Sequence, residues 1–414
     1  MKLRVRTVPL DEPRPLLDLP PDPRSALSWV RRGEGLVAWG EAARLRPGLG
    51  EERFDAADAA FGDLAADAEV VDEVERPGTG LIAFGSFSFD ADAAGSRLIV
   101  PRVVVGRRDG VTWLTTIDPP GAAPADSPAD APSTAVRRDR PRYAGSSKPD
   151  LHWLEAVAAA IERIHAGELD KVVLARDHAL WSHEPFDPLE LARRLTVRFP
   201  HCHTFVADGL VGATPELLLS RAGRTVRSHV LAGTTGRSLD EAEDAALGAA
   251  LLASDKDLAE HRFAAASVDA VLAPRCRQLD VDPEPRLLRL DNVQHLATTF
   301  AGELSDDHSS LDIVGALHPT AAVGGTPRDR AQSLIRELEG MDRGRYAAPV
   351  GWTAPDGDGE WGIALRCAEL TGARARLFAG VGVVAGSLPE AELEETRLKL
   401  RAMLAVLDPA GADA

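Results

Sequence analysis

Lysine is scarce in this chain. Among 47 basic residues only Lys2, Lys148, Lys171, Lys256 and Lys399 are lysine, and arginine carries the rest. A chain with that preference keeps lysine where a compact ammonium is needed, or an amine that can give up its proton. Lys2 is terminal and Lys148 lies in a polar stretch, whereas the other three each fall inside a dense motif. Cysteine is sparse too. Cys202, Cys276 and Cys367 are far apart and odd in number, which excludes a CxxC zinc site and a disulfide framework. A reducing cytoplasm is therefore the expected compartment. No apolar run approaches the length of a membrane span. The N-terminal MKLRVRTVPLDEPRP lacks the apolar stretch of a secretory signal. A formal charge of -17 argues against nucleic acid or an anionic membrane as partner. It leaves room for a small anion in a locally positive pocket.

The chain is long enough, at 414 residues with 44% hydrophobic content, for one large or two ordinary domains. Residues 1–117 mix short strands (35–42, 80–89, 97–106, 111–117) with a helix over 54–68. Residues 118–149, rich in Pro, Ala, Ser and Asp, read as a linker or surface loop. A denser pattern fills 150–408, and 409–414 is a tail. There a helix from Asp150 to about His165 precedes a strand that opens at Lys171. Further strands are expected at 216–221, 225–233, 295–304, 360–370 and 374–386, and helices at 187–199, 240–272, 327–339 and 389–406. Strands and helices do not alternate, which predicts an α+β fold with mainly antiparallel sheets.

Several residues stand out chemically. Lys171 opens an otherwise apolar strand, where a desolvated amine can act as a base, although a strand-end lysine can also simply reach solvent. Glu216 follows a proline beside three leucines, so desolvation can raise its pKa and make it a general acid; an exposed turn is the plainer alternative. Glu260 lies one helical turn from Lys256 and Asp257, offering oxygen to a hard cation or merely a salt-bridged face. Glu392 and Glu395 share a face at a helix start, where acidic residues are favourable in any case. Gly380-Val381-Gly382 permits close backbone approach to a ligand. Arg366 sits inside an apolar strand and needs an anionic partner if buried, either a substrate carboxylate or a structural acid.

The order of the motifs says more than any one of them. LDKVVLAR, TPELLLSR, LAGTTGR, SDKDLAEH, HLATTFAGEL, HPTAAVGGTP, RYAAPVGW, EWGIALRC, AGVGVVAGS and EAELEETRLK follow one another across roughly residues 150–405. In this the chain resembles the chorismate-utilising enzymes. The resemblance implies a large two-sheet core whose N-terminal strands join the same domain. Amine-adding members usually lack the lysine found here as Lys171, so water is the implied nucleophile and isochorismate the implied product. A salicylate synthase, which goes on to eliminate pyruvate, is the alternative. The resemblance assigns Lys171 as general base and Glu216 as general acid. It assigns Glu260, Glu392 and Glu395 to Mg2+. It places Gly233, Thr234, His295, Tyr346, Arg366, Gly380, Gly382 and Lys399 around the substrate. It also implies a monomer or homodimer with no glutaminase subunit, serving menaquinone or siderophore synthesis. Ala321 and Val381 depart from residues common in relatives.

Overall fold

A computed structural model describes residues 2–123, 128, 140–290 and 293–408. The stretch 118–149 lies partly outside these residues, and the tail 409–414 entirely so. The described strands form two sheets of 13 and 10 strands. Both are antiparallel apart from the parallel pairing of Arg4–Pro9 with Glu69–Asp72. Antiparallel neighbours need no crossover helix between them, so strand signals without regularly alternating helices are what this pairing produces.

Residues 1–117 do not form a layer of their own. Leu27–Arg31 extends the larger sheet by pairing with His203–Ala207 and is itself paired by Glu34–Trp39, and Ala83–Ser86 extends the smaller one by pairing with Pro349–Thr353. The sheets share a core. Trp29 and Phe205 of the larger sheet belong to the same buried cluster as Trp352 and Trp361 of the smaller. Trp29, Trp113, Trp352 and Trp361 are at most 1% exposed. Large aromatics contribute most of the burial energy per residue, so these anchor the sandwich. Helix Pro188–Arg198 and the C-terminal helix Pro389–Leu407 cover the larger sheet through a second cluster containing Leu195, Met403 and Leu407.

Four expectations change. The linker or loop expected over 118–149 holds a strand, Arg142–Gly145, that pairs with the one starting at Lys171. The helix expected over 240–272 is two helices, Glu241–Leu252 and Asp255–Leu272, because Ser254 stops the first and caps the second by accepting a hydrogen bond from the Asp257 amide. The strand expected over 97–106 is split into Arg97–Val100, in the smaller sheet, and Val103–Arg108, in the larger, with Pro101 between them. The strand expected over 360–370 is likewise two, Gly359–Ile363 in the smaller sheet and Cys367–Thr371 in the larger. Arg366 therefore lies not inside a strand but at the point where the chain changes sheets, with a left-handed φ of 46°. A left-handed non-glycine residue is costly and persists only where its surroundings hold it.

Candidate active site

Glu216 occupies a second sheet change. Thr214 ends a strand of the larger sheet and Leu217 begins one of the smaller. Backbone at such a crossing is free of ladder pairing, so its side chains can turn into the space between the sheets. Both crossings border one cavity of about 690 Å3, counting its open mouth, which Glu216, Gly233, Thr234, Glu260, His295, Tyr346, Arg366, Gly380, Gly382 and Lys399 all line.

Glu216 is 3% exposed. Burial pushes its pKa up to about 8, against the weaker opposing pull of the Leu231 amide and of Lys171, Arg366 and Lys399. A carboxyl in that state holds its proton at neutral pH. Lys171 is wholly buried, its Nζ 3.3 Å from Glu260 Oε1 and without a hydrogen bond of good geometry. It does not itself line the cavity but lies behind Gly382 and Glu260. A β-carbon on Gly382 would collide with the Glu260 carboxylate and come within 3.0 Å of Lys171 Cε. Glycine is thus required for lysine and glutamate to meet. Gly382→Ala should keep the fold and lower turnover by about 10²-fold, the usual effect of a misplacement of about 1 Å; paired thermal melts and steady-state kinetics check this.

His295 and Gly233 form a clamp on Arg366. Gly233, at φ 74°, is the bulged residue where the pairing shifts between Ala232 and Thr234. Its carbonyl lies 3.2 Å from His295 Nδ1, and Thr234 Oγ1 lies 3.1 Å away. Arg366 Nη2 donates to His295 Nε2 at 2.9 Å. A guanidinium only donates, so Nε2 accepts and Nδ1 carries the ring proton. Burial, then Arg366 and Lys399, lower the His295 pKa far below its ordinary value, so the ring stays neutral. Arg366 makes no ion pair with a carboxylate among the described residues and faces the cavity. Tyr346 stacks on Phe378 with centroids 4.9 Å apart, and its hydroxyl lies close to Gly380. Lys399 donates to Gly380 O at 2.9 Å and pairs with Glu395 at 2.7 Å.

Glu392 and Glu395 stand outside the cavity wall. Glu392 is 1% exposed and pairs with Lys256 at 2.6 Å. Each of the three glutamates assigned to a metal is therefore aimed at a lysine. Among the described residues no group of three or more His, Cys, Asp or Glu side chains converges to hold a metal ion.

Arg343 was not singled out in the sequence. Buried, it bonds Val173 O at 2.7 Å, Val323 O at 2.9 Å and Glu339, fixing the strand that starts at Lys171 against the HPTAAVGGTP loop. Ala322 and Val323 of that loop line the cavity. His318 does not: its Nε2 donates to Phe89 O at 3.0 Å and its ring packs on Phe54 and Phe89 in the core.

Residues 25–408 match the family described as chorismate binding enzyme. The chain belongs to that family. Among curated members, it is 45% identical to isochorismate synthase DhbC of Bacillus subtilis over 264 residues, which are 61% of this chain and 66% of that protein. It is 36% identical to the salicylate biosynthesis isochorismate synthase of Pseudomonas aeruginosa, over 93% of this chain and 85% of that one. Among solved structures, the menaquinone-specific isochorismate synthase MenF of Escherichia coli superposes with a TM-score of 0.81 at 27% identity, covering 98% of this chain and 94% of that one. Arg366 and Lys399 bring positive charge to the cavity of a protein of net charge -17.

Proposed function

We propose that this chain is an isochorismate synthase, exchanging the C4 hydroxyl of chorismate for a hydroxyl from water at C2. The main support is electrostatic: a neutral Glu216 carboxyl lines the cavity with Arg366, which has no carboxylate partner among the described residues, and the buried Lys171 amine lies just behind Gly382 and Glu260. Lys171 acts as the base that takes a proton from water as the oxygen bonds to C2. The ring double bonds shift, the C4–O bond breaks, and Glu216 gives its proton to the departing hydroxyl. The two proton transfers cancel, as an isomerisation requires. Acid and base of this kind contribute about 10²–10⁴-fold each.

Arg366 and Tyr346 hold the enolpyruvyl carboxylate, with His295 keeping the guanidinium in place. Arg366→Ala should raise KM about 10- to 100-fold, the loss of a charge-assisted hydrogen-bonded contact of about 1.5–3 kcal/mol, with a smaller change in kcat; initial-rate kinetics separate the two. Mg2+ is part of the same proposal. Glu260, Glu392 and Glu395 offer only carboxylate oxygens, the hard ligands Mg2+ prefers, and each already faces a positive charge. When bound, the ion would neutralise and orient the ring carboxylate. The protein would serve menaquinone or siderophore synthesis in the cytoplasm. No helix among the described residues is long and apolar enough to cross a membrane.

Product analysis by liquid chromatography and mass spectrometry tests the proposal, with chorismate and Mg2+ supplied with and without ammonium. Isochorismate as the enzymatic product is expected. Salicylate with equimolar pyruvate, beyond spontaneous breakdown, would instead mark a salicylate synthase. An amino product that requires ammonium would overturn water as the nucleophile.

A further inference from the structure

The three glutamates assigned to Mg2+ are matched one to one by the three lysines that the motifs retain: Lys171 on Glu260 at 3.3 Å, Lys256 on Glu392 at 2.6 Å and Lys399 on Glu395 at 2.7 Å. The pairs differ in freedom. The Lys171 side chain is 0% exposed and has no way out. Lys399 is also tied to the Gly380 carbonyl. The Lys256 side chain is 33% exposed, and among the described residues Glu392 is its one hydrogen-bond partner. The charges of Glu392, Glu395 and Glu260 all reach its ammonium.

We infer that Lys256 is the resident counter-ion of Glu392 and that it leaves this carboxylate when a divalent cation binds. This rests on the Mg2+ assignment proposed above. Without a neutralising charge, a carboxylate as buried as Glu392 beside Glu395 is strongly unfavourable. With Lys256 in place, the helices Asp255–Leu272 and Pro389–Leu407 are held together across the site. An arginine would grip the carboxylate through a planar fork and be hard to displace. A lysine makes a single-point contact on a flexible stem and can swing aside. That difference accounts for a lysine at this position in a chain otherwise built with arginine. A cation taking up the Glu392 carboxylate must displace this ammonium, so Lys256 lowers metal affinity while stabilising the metal-free protein.

The scarcity of lysine makes the test clean. The wild-type protein is acylated briefly with an amine-directed reagent, with and without saturating Mg2+, and labelling is mapped by peptide mass spectrometry. Lys2 and Lys148 are exposed and serve as internal controls. Lys256 should label several-fold faster with Mg2+ while the controls stay constant. In a second measurement, calorimetry should show Lys256→Met binding Mg2+ roughly tenfold more tightly than wild type, close to the lower end of the coupling found for close charge pairs. Its melting temperature without metal should be lower. Unchanged or reduced Lys256 labelling at Mg2+ concentrations that saturate the binding heat would overturn the inference and leave the metal assignment standing. If the wild-type protein produces no Mg2+ binding heat, the metal assignment itself fails and takes this inference with it.

Discussion

Glu216→Gln should lower kcat by about 10²–10⁴-fold while the protein remains folded and still binds substrate. Glutamine keeps the shape of the side chain and can donate a hydrogen bond, but it has no proton to give to a leaving hydroxyl. The fold should tolerate it well. Glu216 is 3% exposed and its pKa is raised to about 8 by burial, so the native protein already carries it as a neutral group. The same fact sets the pH dependence. The acid is loaded below about pH 8 and empty above it, so wild-type kcat/KM should fall as pH rises through that value. Stability follows the same sign. The folded pKa lies above the ordinary 4.5, so folding takes up a proton between the two values. The stability contributed by the neutral carboxyl is complete below 4.5 and lost as pH climbs through about 8. Glu216→Gln should therefore show a flatter melting temperature across that range. Activity near wild type, or a pH profile with no alkaline limb, would remove Glu216 from its role.

Lys171→Ala should be as damaging to turnover, about 10²–10⁴-fold, for the complementary reason. Water attacks an unsaturated ring slowly unless its proton is taken in the same step. Lysine is the only basic side chain of that length that can arrive without its proton, since arginine stays charged. The variant should also lose stability, by about 1–3 kcal/mol, because Glu260 is left without its ion-pair partner. Lys171→Met separates the two effects. It refills the volume of the stem without an amine, so a packing role predicts that it recovers activity over the alanine variant, whereas a base predicts that neither variant turns over. Steady-state rates beside thermal melts decide between them.

The longer sheet-forming segments of the C-terminal part were legible because alternation and apolar runs are local signals, whereas shorter strands such as His203–Ala207, Leu210–Thr214 and Pro349–Thr353 went unread. The helices Asp150–His165 and Pro188–Arg198 match their expected bounds within a residue, and the strand from Lys171 starts where expected but runs on past Arg176 to Trp181. What sequence could not show was which sheet a strand joins. EWGIALRCAEL reads as one apolar run, and its division at Arg366 is set by tertiary packing and one left-handed backbone angle. The short N-terminal strands Arg4–Pro9 and Leu27–Arg31 went unread because charged and proline-rich flanks hide them. Site residues were legible as a set only through motif order. The surroundings that give them character were not: burial of Glu216, the neutral His295 behind Arg366 and the lysine on each glutamate all come from elements far apart in the chain. Arg343 left no local mark, because its partners are backbone carbonyls of two distant segments.

The first 117 residues hold none of the candidate catalytic, substrate or metal groups, yet their strands complete both sheets. A fragment starting at Asp150 would retain every candidate site residue. It would also expose the backbone of His203–Ala207 and Pro349–Thr353, the two strands that Leu27–Arg31 and Ala83–Ser86 now cover. Raw edges of that kind recruit other chains. Such a fragment should precipitate or assemble edge to edge, and the N-terminal region is in this sense a built-in chaperone for the half of the molecule that carries the chemistry.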